Sequence, residues 1–354
     1  MPDARVEAAI ANWAPRFVAN GVDFNDFRGT TERIERWEDW LDAWAATAEV
    51  HRALAEEAEA EGNLRTAGEA YVSAAVCFHF AKFVWVVDVE RNHEATERAI
   101  ACLYRAHACL DPTAERVEIP FNGATLAANL RRPPGAERPP LVLLVPGLDS
   151  TKEEFFGWEN VFLARGLATL SLDGPGQGES GFGTTIRADY EEAVSAALDA
   201  LAGRGDVDQG RVGAAGVSLG GYYAPRAAAL EPRIKAVAGV SGPFNFGECW
   251  AGLPGLTRET FQHHAGARNP DEARAKAHEL DLAPVIGELD RPGLMITGKL
   301  DRIIPWEQTR RIADGAPRTT FVLHEDGNHV CNNIPYRWRP FVADWLGKEL
   351  RRVG

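Results

Sequence analysis

The pentapeptide Gly216-Val217-Ser218-Leu219-Gly220 most restricts the folds open to this chain, because an apolar strand-like run (211–215) precedes it and a helix-like run (219–230) follows. A serine with glycine two residues away on each side suits a sharp strand-to-helix turn, where small neighbours let a strained residue present its hydroxyl clear of the backbone. Ser218 is therefore the candidate nucleophile. Such a hydroxyl is weak at neutral pH, so it requires a histidine to take its proton and a carboxylate to fix that histidine's tautomer. Asp301 follows the buried-strand pattern 293–297 and the turn 298–300, and His329 lies just beyond the strand pattern 319–323. Each stands at the carboxyl end of an expected strand, the edge where open α/β sheets collect their functional groups. Asp290 precedes its strand, His324 is still within one, and His263 and His264 fall in a helical insertion, so these fit less well.

Around these residues strands and helices alternate: strands at 141–145, 168–172, 211–215 and 236–240, helices at 190–202 and 219–230, and a last helix at 336–350. Alternation of this kind implies a mainly parallel sheet with helices on both faces, and the chain order Ser, Asp, His is that of an α/β-hydrolase. Asn122-Gly123 between two strand patterns marks a hairpin. The alternation lapses at 242–290, a helical insertion placed to act as a lid. Its one clear helix opens at Asn269-Pro270-Asp271-Glu272, with Asn as cap and acids near the positive end of the dipole.

Residues 1–114 form a separate helical domain ahead of the hydrolase domain, 115–354. Apolar residues recur there at three- and four-residue spacing, and the pattern predicts helices at 31–61, 64–88 and 94–110. Trp37, Trp40 and Trp44 share one helical face and read as core. The segment 62–83 has the spacing of a helical-repeat hairpin, but no second copy follows. His79 and Lys82 sit three apart in an intensely apolar helix. Such groups are often satisfied or snorkelling; the sharper expectation is that they face a substrate cavity between the two domains.

Composition narrows the remaining classes. A formal charge of -13 argues against a nucleic-acid partner, which needs a concentrated basic surface. No apolar run is long enough to span a bilayer and no leader-like start is present, so a cytoplasmic protein without a membrane partner is expected. The five cysteines show neither C-x-x-C pairing nor zinc-like spacing, and read as reduced, mostly packed thiols. No metal or cofactor is expected. A homodimer is left open.

Cleavage of an ester or ketone builds an oxyanion, and two backbone N–H donors must already point where it forms. Leu219 supplies one, immediately after the nucleophile. Leu148, in the turn Pro146-Gly147-Leu148-Asp149-Ser150, is the best second donor, with Gly147 allowing close approach. A literal G-x-G-x-x-G begins at Gly176, but a dinucleotide fingerprint opens a helix directly and 184–188 intervene here. A tight structural turn is the better account.

The segments 147–154, 173–179, 216–220 and 327–333 together resemble one α/β-hydrolase group, which contains 2,6-dihydroxypseudooxynicotine hydrolase and the fungal polyketide chain-shortening hydrolases. That group also carries an N-terminal helical domain, so the resemblance covers nearly the whole chain. It implies hydrolysis of a carbon–carbon bond next to a ketone, in an aryl ketone or β-dicarbonyl substrate. It further implies a glutamate beside the three catalytic residues. Glu248 stands where that glutamate falls, next to Trp250 at the start of the insertion, although the surrounding residues differ. The same three residues equally suit a carboxylesterase, thioesterase or lactonase.

Overall fold

The computed structural model describes residues 3–353. The chain divides into two compact units, one of residues up to Ala114 together with Glu153–Gly157, the other of Glu115–Lys152 and the residues from Trp158 onward.

The first unit is helical: α1 (Ala4–Ala19), α2 (Phe24–Thr31), α3 (Trp40–Ala60), α4 (Leu64–Lys82) and α5 (Val89–Leu110). Aspartates start three of them, Asp3, Asp23 and Asp88 each accepting from a backbone N–H of the first turn, a cap that contributes about 1 kcal/mol. The expected helix 31–61 begins only at Trp40, and α2 ends at its first residue, Thr31. Between α2 and α3 the chain is held by Asp3, which accepts from the Trp37 N–H (3.2 Å), and by Trp37 O, which accepts from Trp85 Nε1 (2.9 Å). Helix α4 stops at Lys82 rather than residue 88, because Val84 takes a left-handed φ of +46° that breaks the helical path. Asn92 Nδ2 donates to the carbonyls of Lys82 and Trp85 (3.1 and 2.7 Å). The Asp88 cap then starts α5 five residues before the expected residue 94. Trp37, Trp40 and Trp44 are all essentially inaccessible, so the stripe is core, as its spacing indicates.

The second unit holds an eight-stranded sheet: β1 (Glu115–Phe121), β2 (Ala124–Arg131), β3 (Pro140–Val145), β4 (Ala168–Asp173), β5 (Asp208–Val217), β6 (Ile234–Val240), β7 (Gly293–Gly298) and β8 (Thr319–His324), in the order β1-β2-β4-β3-β5-β6-β7-β8. The pairs β1–β2 and β2–β4 are antiparallel and all others parallel. Asn122 and Gly123 (φ +48° and +81°) form the β1–β2 turn, the paired left-handed residues of a type I′ hairpin. Strands β3, β4 and β7 are buried at every position, which is why they read as continuous apolar runs. The accompanying helices are α6 (Phe156–Leu163), α7 (Glu191–Ala200), α8 (Gly220–Leu230), α9 (Phe246–Cys249), α10 (Gly255–His264), α11 (Pro270–Glu279), α12 (Trp306–Gly315) and α13 (Pro335–Arg351). The stretch between β6 and β7 carries α9–α11, and Asn269 caps α11 through the Glu272 N–H (2.9 Å). No helix among the described residues is long and apolar enough to cross a membrane.

The helical unit encloses one strong charge pair. Arg16 on α1 donates from Nε and Nη2 to the two oxygens of Glu154, both at 2.6 Å, and Asn20 Nδ2 donates to Oε1 at 2.6 Å. His79 Nε2 lies 3.2 Å from Glu154 Oε2, and the Arg16 guanidinium sits 4.5 Å over the Phe83 ring. Burial alone would raise the Glu154 pKa, but Arg16 and then His79 outweigh it and hold the carboxylate well below its usual range. Burial keeps His79 below the ordinary imidazole range despite the pull of Glu154. A depressed carboxylate pKa gives stability that is present above the unfolded value, about 4.3, and lost as pH falls through the folded one. Arg16→Met leaves Glu154 buried without its cation and should cost about 3–5 kcal/mol at neutral pH. In that variant Glu154 folds most readily when protonated, so the deficit should shrink as pH falls from 7 toward about 4. Urea unfolding of both proteins at pH 7 and pH 4 checks this, and a deficit independent of pH would exclude the pair as its cause.

Candidate active site

Ser218 follows β5 directly in a left-handed conformation, φ +55°. Only the absence of side chains nearby permits that turn. A Cβ on Gly216 would collide with Gly220 O, and one on Gly220 with Val145 O. The backbone is held by Ser218 N–H donating to Val240 O (2.8 Å) and Gly221 N–H donating to Ser218 O (2.7 Å).

His329 Nε2 lies 2.9 Å from Ser218 Oγ, and His329 Nδ1 lies 2.8 Å from Asp301 Oδ2. The other Asp301 oxygen accepts from the N–H groups of Ile303 and Ile304, both at 2.9 Å. Two backbone donors thus fix the carboxylate, and it fixes the imidazole with Nε2 toward the serine. The structure therefore brings together the three side chains read from the sequence. The Asp290 side chain is 79% exposed and paired with Arg291, and His263 and His264 lie edge-on to each other within α10.

The loop carrying His329 is unusual. Val330 and Cys331 both have left-handed backbones, φ +57° and +50°, a costly state for a β-branched residue. They are pinned by Val330 N–H donating to Ser241 Oγ (3.0 Å) and Cys331 N–H donating to Asn328 O (2.8 Å). Asn328 and Asn333 bridge each other's backbone N–H groups. Ser241, itself at φ +52° and fully buried just past β6, had no signal in the sequence beyond its position after a strand. Burial pushes the Cys331 thiol up to about 12, leaving it a neutral packing group.

Gly147 sits against the elbow. A Cβ there would lie 3.0 Å from Ser218 Cβ and 3.5 Å from Leu219 N. The N–H groups of Leu148 and Leu219 make none of the turn and loop hydrogen bonds among the described residues.

Other expected site residues have different surroundings. Glu248 on α9 accepts from Gln308 Nε2 (2.9 Å) and pairs with Arg311. Those two partners, Arg311 foremost, hold its carboxyl below the usual range, which makes it a poor proton donor. Gln308 also accepts from the Phe244 and Asn245 N–H groups, both at 3.0 Å, so it ties α12 to the start of the insertion. Trp250 is buried edge-on to Phe261, with ring centroids 5.7 Å apart. His79 is fully buried against Glu154, and Lys82 is half-buried at the end of α4. The side chain of His79 is thus engaged within the helical unit.

A family model described as esterase FrsA-like matches residues 31–246. The chain belongs to the FrsA-like family of α/β-hydrolases. This FrsA-like chain is 34% identical over 342 residues to 2,6-dihydropseudooxynicotine hydrolase of Paenarthrobacter nicotinovorans, covering 96% of the chain and 92% of that protein. The crystal structure of 2,6-dihydroxy-pseudo-oxynicotine hydrolase superposes with a TM-score of 0.87 over 96% of each chain, at 34% identity. The 20-hydroxy-prefusarin hydrolase of Gibberella moniliformis is 37% identical over 247 residues, covering 64% of this chain and 58% of its own length. A prolyl oligopeptidase family model matches residues 154–351. The FrsA-like chain is accordingly a hydrolase with the α/β-hydrolase fold and an N-terminal helical region.

Ser241→Ala removes the acceptor of a buried N–H in a strained loop. The expected cost is about 1–3 kcal/mol, read from the urea midpoint at unchanged slope, and unaltered stability would show that the hydroxyl does not hold the loop.

Proposed function

We propose that this chain is a cofactor-independent hydrolase that cleaves the acyl carbon–carbon bond of an aryl ketone or β-dicarbonyl compound. The observation that carries the proposal is the Ser218–His329–Asp301 relay, with both hydrogen-bond distances below 3 Å. The similarity over nearly the whole chain to a hydrolase whose name specifies a pseudooxynicotine substrate supports the choice of bond.

In this reading His329 Nε2 takes the Ser218 proton as Oγ attacks the ketone carbon, and the carbonyl oxygen becomes an oxyanion facing the N–H groups of Leu148 and Leu219. Collapse of that intermediate re-forms the carbonyl and breaks the carbon–carbon bond. The bonding pair leaves on carbon, which the imidazolium of His329 protonates. Water, activated by the same imidazole, then releases the acyl group from Ser218. Carbon is a poor leaving group, so the substrate must delocalise the pair as an enolate or electron-rich arene. Asp301 keeps the imidazole in the tautomer that accepts at Nε2. Glu248, held as a carboxylate, serves to orient a hydroxyl substituent of the substrate, with Trp250 beside it and the α9–α11 stretch acting as a lid. His79 and Lys82 act on substrate binding through the helical unit. The small-molecule substrate is the partner, and the cytoplasm is the proposed location.

Ester, thioester or lactone hydrolysis is the second reading, favoured by the fact that the relay needs no further acid to expel an alkoxide. Ser218→Ala should lower turnover by about three to six powers of ten without unfolding the protein, and activity within tenfold of the parent would remove Ser218 from the mechanism. Asp301→Asn should be severe, since it favours the wrong tautomer. Glu248→Gln distinguishes the bonds. A loss of about a hundredfold on an aryl diketone with p-nitrophenyl acetate hydrolysis spared supports carbon–carbon cleavage. Equal loss on both substrates, or none, favours the esterase.

A further inference from the structure

The glycine-rich run 173–181 reads in the sequence as a tight structural turn. Gly174-Pro175-Gly176-Gln177 closes with the Gln177 N–H donating to Gly174 O (3.0 Å), and Gly176 has φ +75°. Pro at the second position and a left-handed Gly at the third define a type II turn. Ser180 anchors the chain just beyond that turn, its Oγ donating to Asp173 O (2.7 Å) and accepting from the Ala127 N–H (2.9 Å). The result is a rigid mount for one side chain.

That side chain is Gln177, 1% exposed. Its Nε2 donates both hydrogens, to Pro146 O (2.8 Å) and Gly147 O (2.7 Å). Its Oε1 accepts from the Gly174 N–H and the Tyr190 hydroxyl, both at 2.9 Å. Every hydrogen-bonding position of the amide is used. The amide cannot be reversed, because two carbonyls require donors at one end and a backbone N–H requires an acceptor at the other. Burial pushes Tyr190 well above its ordinary pKa, so its hydroxyl stays protonated and donates.

Gly147 O and the Leu148 N–H belong to one peptide unit. The chain has no cis peptide among the described residues, so this unit is planar with its carbonyl and N–H pointing in opposite directions. Holding the carbonyl therefore aims the N–H. We propose that Gln177 is the positioning residue for the oxyanion donor, fixing the Leu148 N–H through the carbonyl of its own peptide. This rests on the reading of Leu148 as that donor and Ser218 as nucleophile. An unheld peptide plane swings, and a donor displaced by about an ångström forfeits much of its effect on the transition state while leaving ground-state binding intact.

The test uses the full chain, p-nitrophenyl acetate, and a fluorophosphonate that both labels Ser218 and counts active sites. Gln177→Glu keeps an acceptor for Gly174 and Tyr190 but turns an anionic oxygen toward both carbonyls, whereas Gln177→Met removes every bond at similar volume. Both should lose about 30- to 100-fold in kcat per labelled site, with KM within about threefold and phosphonylation slowed in parallel. Gln177→Met introduces no charge, so its pH profile should have the same shape as the parent's. A lowered melting temperature with kcat per labelled site within threefold of the parent would reduce Gln177 to a structural role and overturn the proposal. If neither variant folds, Tyr190→Phe decides, because it removes one of the two bonds holding Oε1. A three- to tenfold fall in kcat is expected, and the parental value overturns the proposal. Failure of the parent itself to label at Ser218 is a different result, which refutes the mechanism beneath.

Discussion

Everything in the second unit is arranged around one left-handed residue. Ser218 at φ +55° stands where an L-amino acid resists standing, and the turn exists because the chain omits side chains around it. Gly216 and Gly220 clear the elbow, and Gly221 and Gly242 let the start of α8 meet the end of β6. Gly147 brings a neighbouring turn against it. Strain of this kind persists only when the surroundings over-determine it, and here the sheet does so through the Val240 carbonyl that accepts from the Ser218 N–H.

The same device recurs along one sheet edge. Ser241 follows β6 and Val330 follows β8, each with positive φ, and the Ser241 hydroxyl accepts from the Val330 N–H. Asp301, after β7, is held by two N–H groups of its own loop. Backbone hydrogen bonds to polar partners, from the same loop or a neighbouring strand end, thus hold these segments in place. Little freedom remains for a bound molecule to quench, the condition under which fixed dipoles act at full strength.

The hydrolase half was legible because its signals are local. Strands buried on both faces are continuous apolar runs, Asn122-Gly123 dictates a hairpin, and Ser218, Asp301 and His329 each follow a strand pattern. Helix limits in the first unit were less legible. Residues 31–39 are as helix-compatible as their neighbours, and what interrupts them is a hydrogen bond from Trp85, nearly fifty positions away. Val84 gives no local warning of its left-handed turn. Glu248 is legible as an acid opening the insertion, but its engagement with Gln308 and Arg311 depends on α12, some sixty residues on. The role of Gln177 is hidden in the sequence for a related reason. The pattern of glycines marks a turn, while the bonds that give the turn its use run to Pro146, Gly147 and Tyr190.

The segment Glu153–Gly157 completes a unit whose other residues end at Ala114. During synthesis the five helices emerge from the ribosome before Glu154 exists, so Arg16 at first lacks the carboxylate that it pairs with in the folded unit. Burying the guanidinium without that carboxylate costs several kcal/mol, which opposes closure of the helices at that stage. The ion pair that closes the helical unit forms only after some forty further residues have been translated, and those include β1, β2 and β3. Although it comes first along the chain, the helical unit is finished only after the sheet has begun.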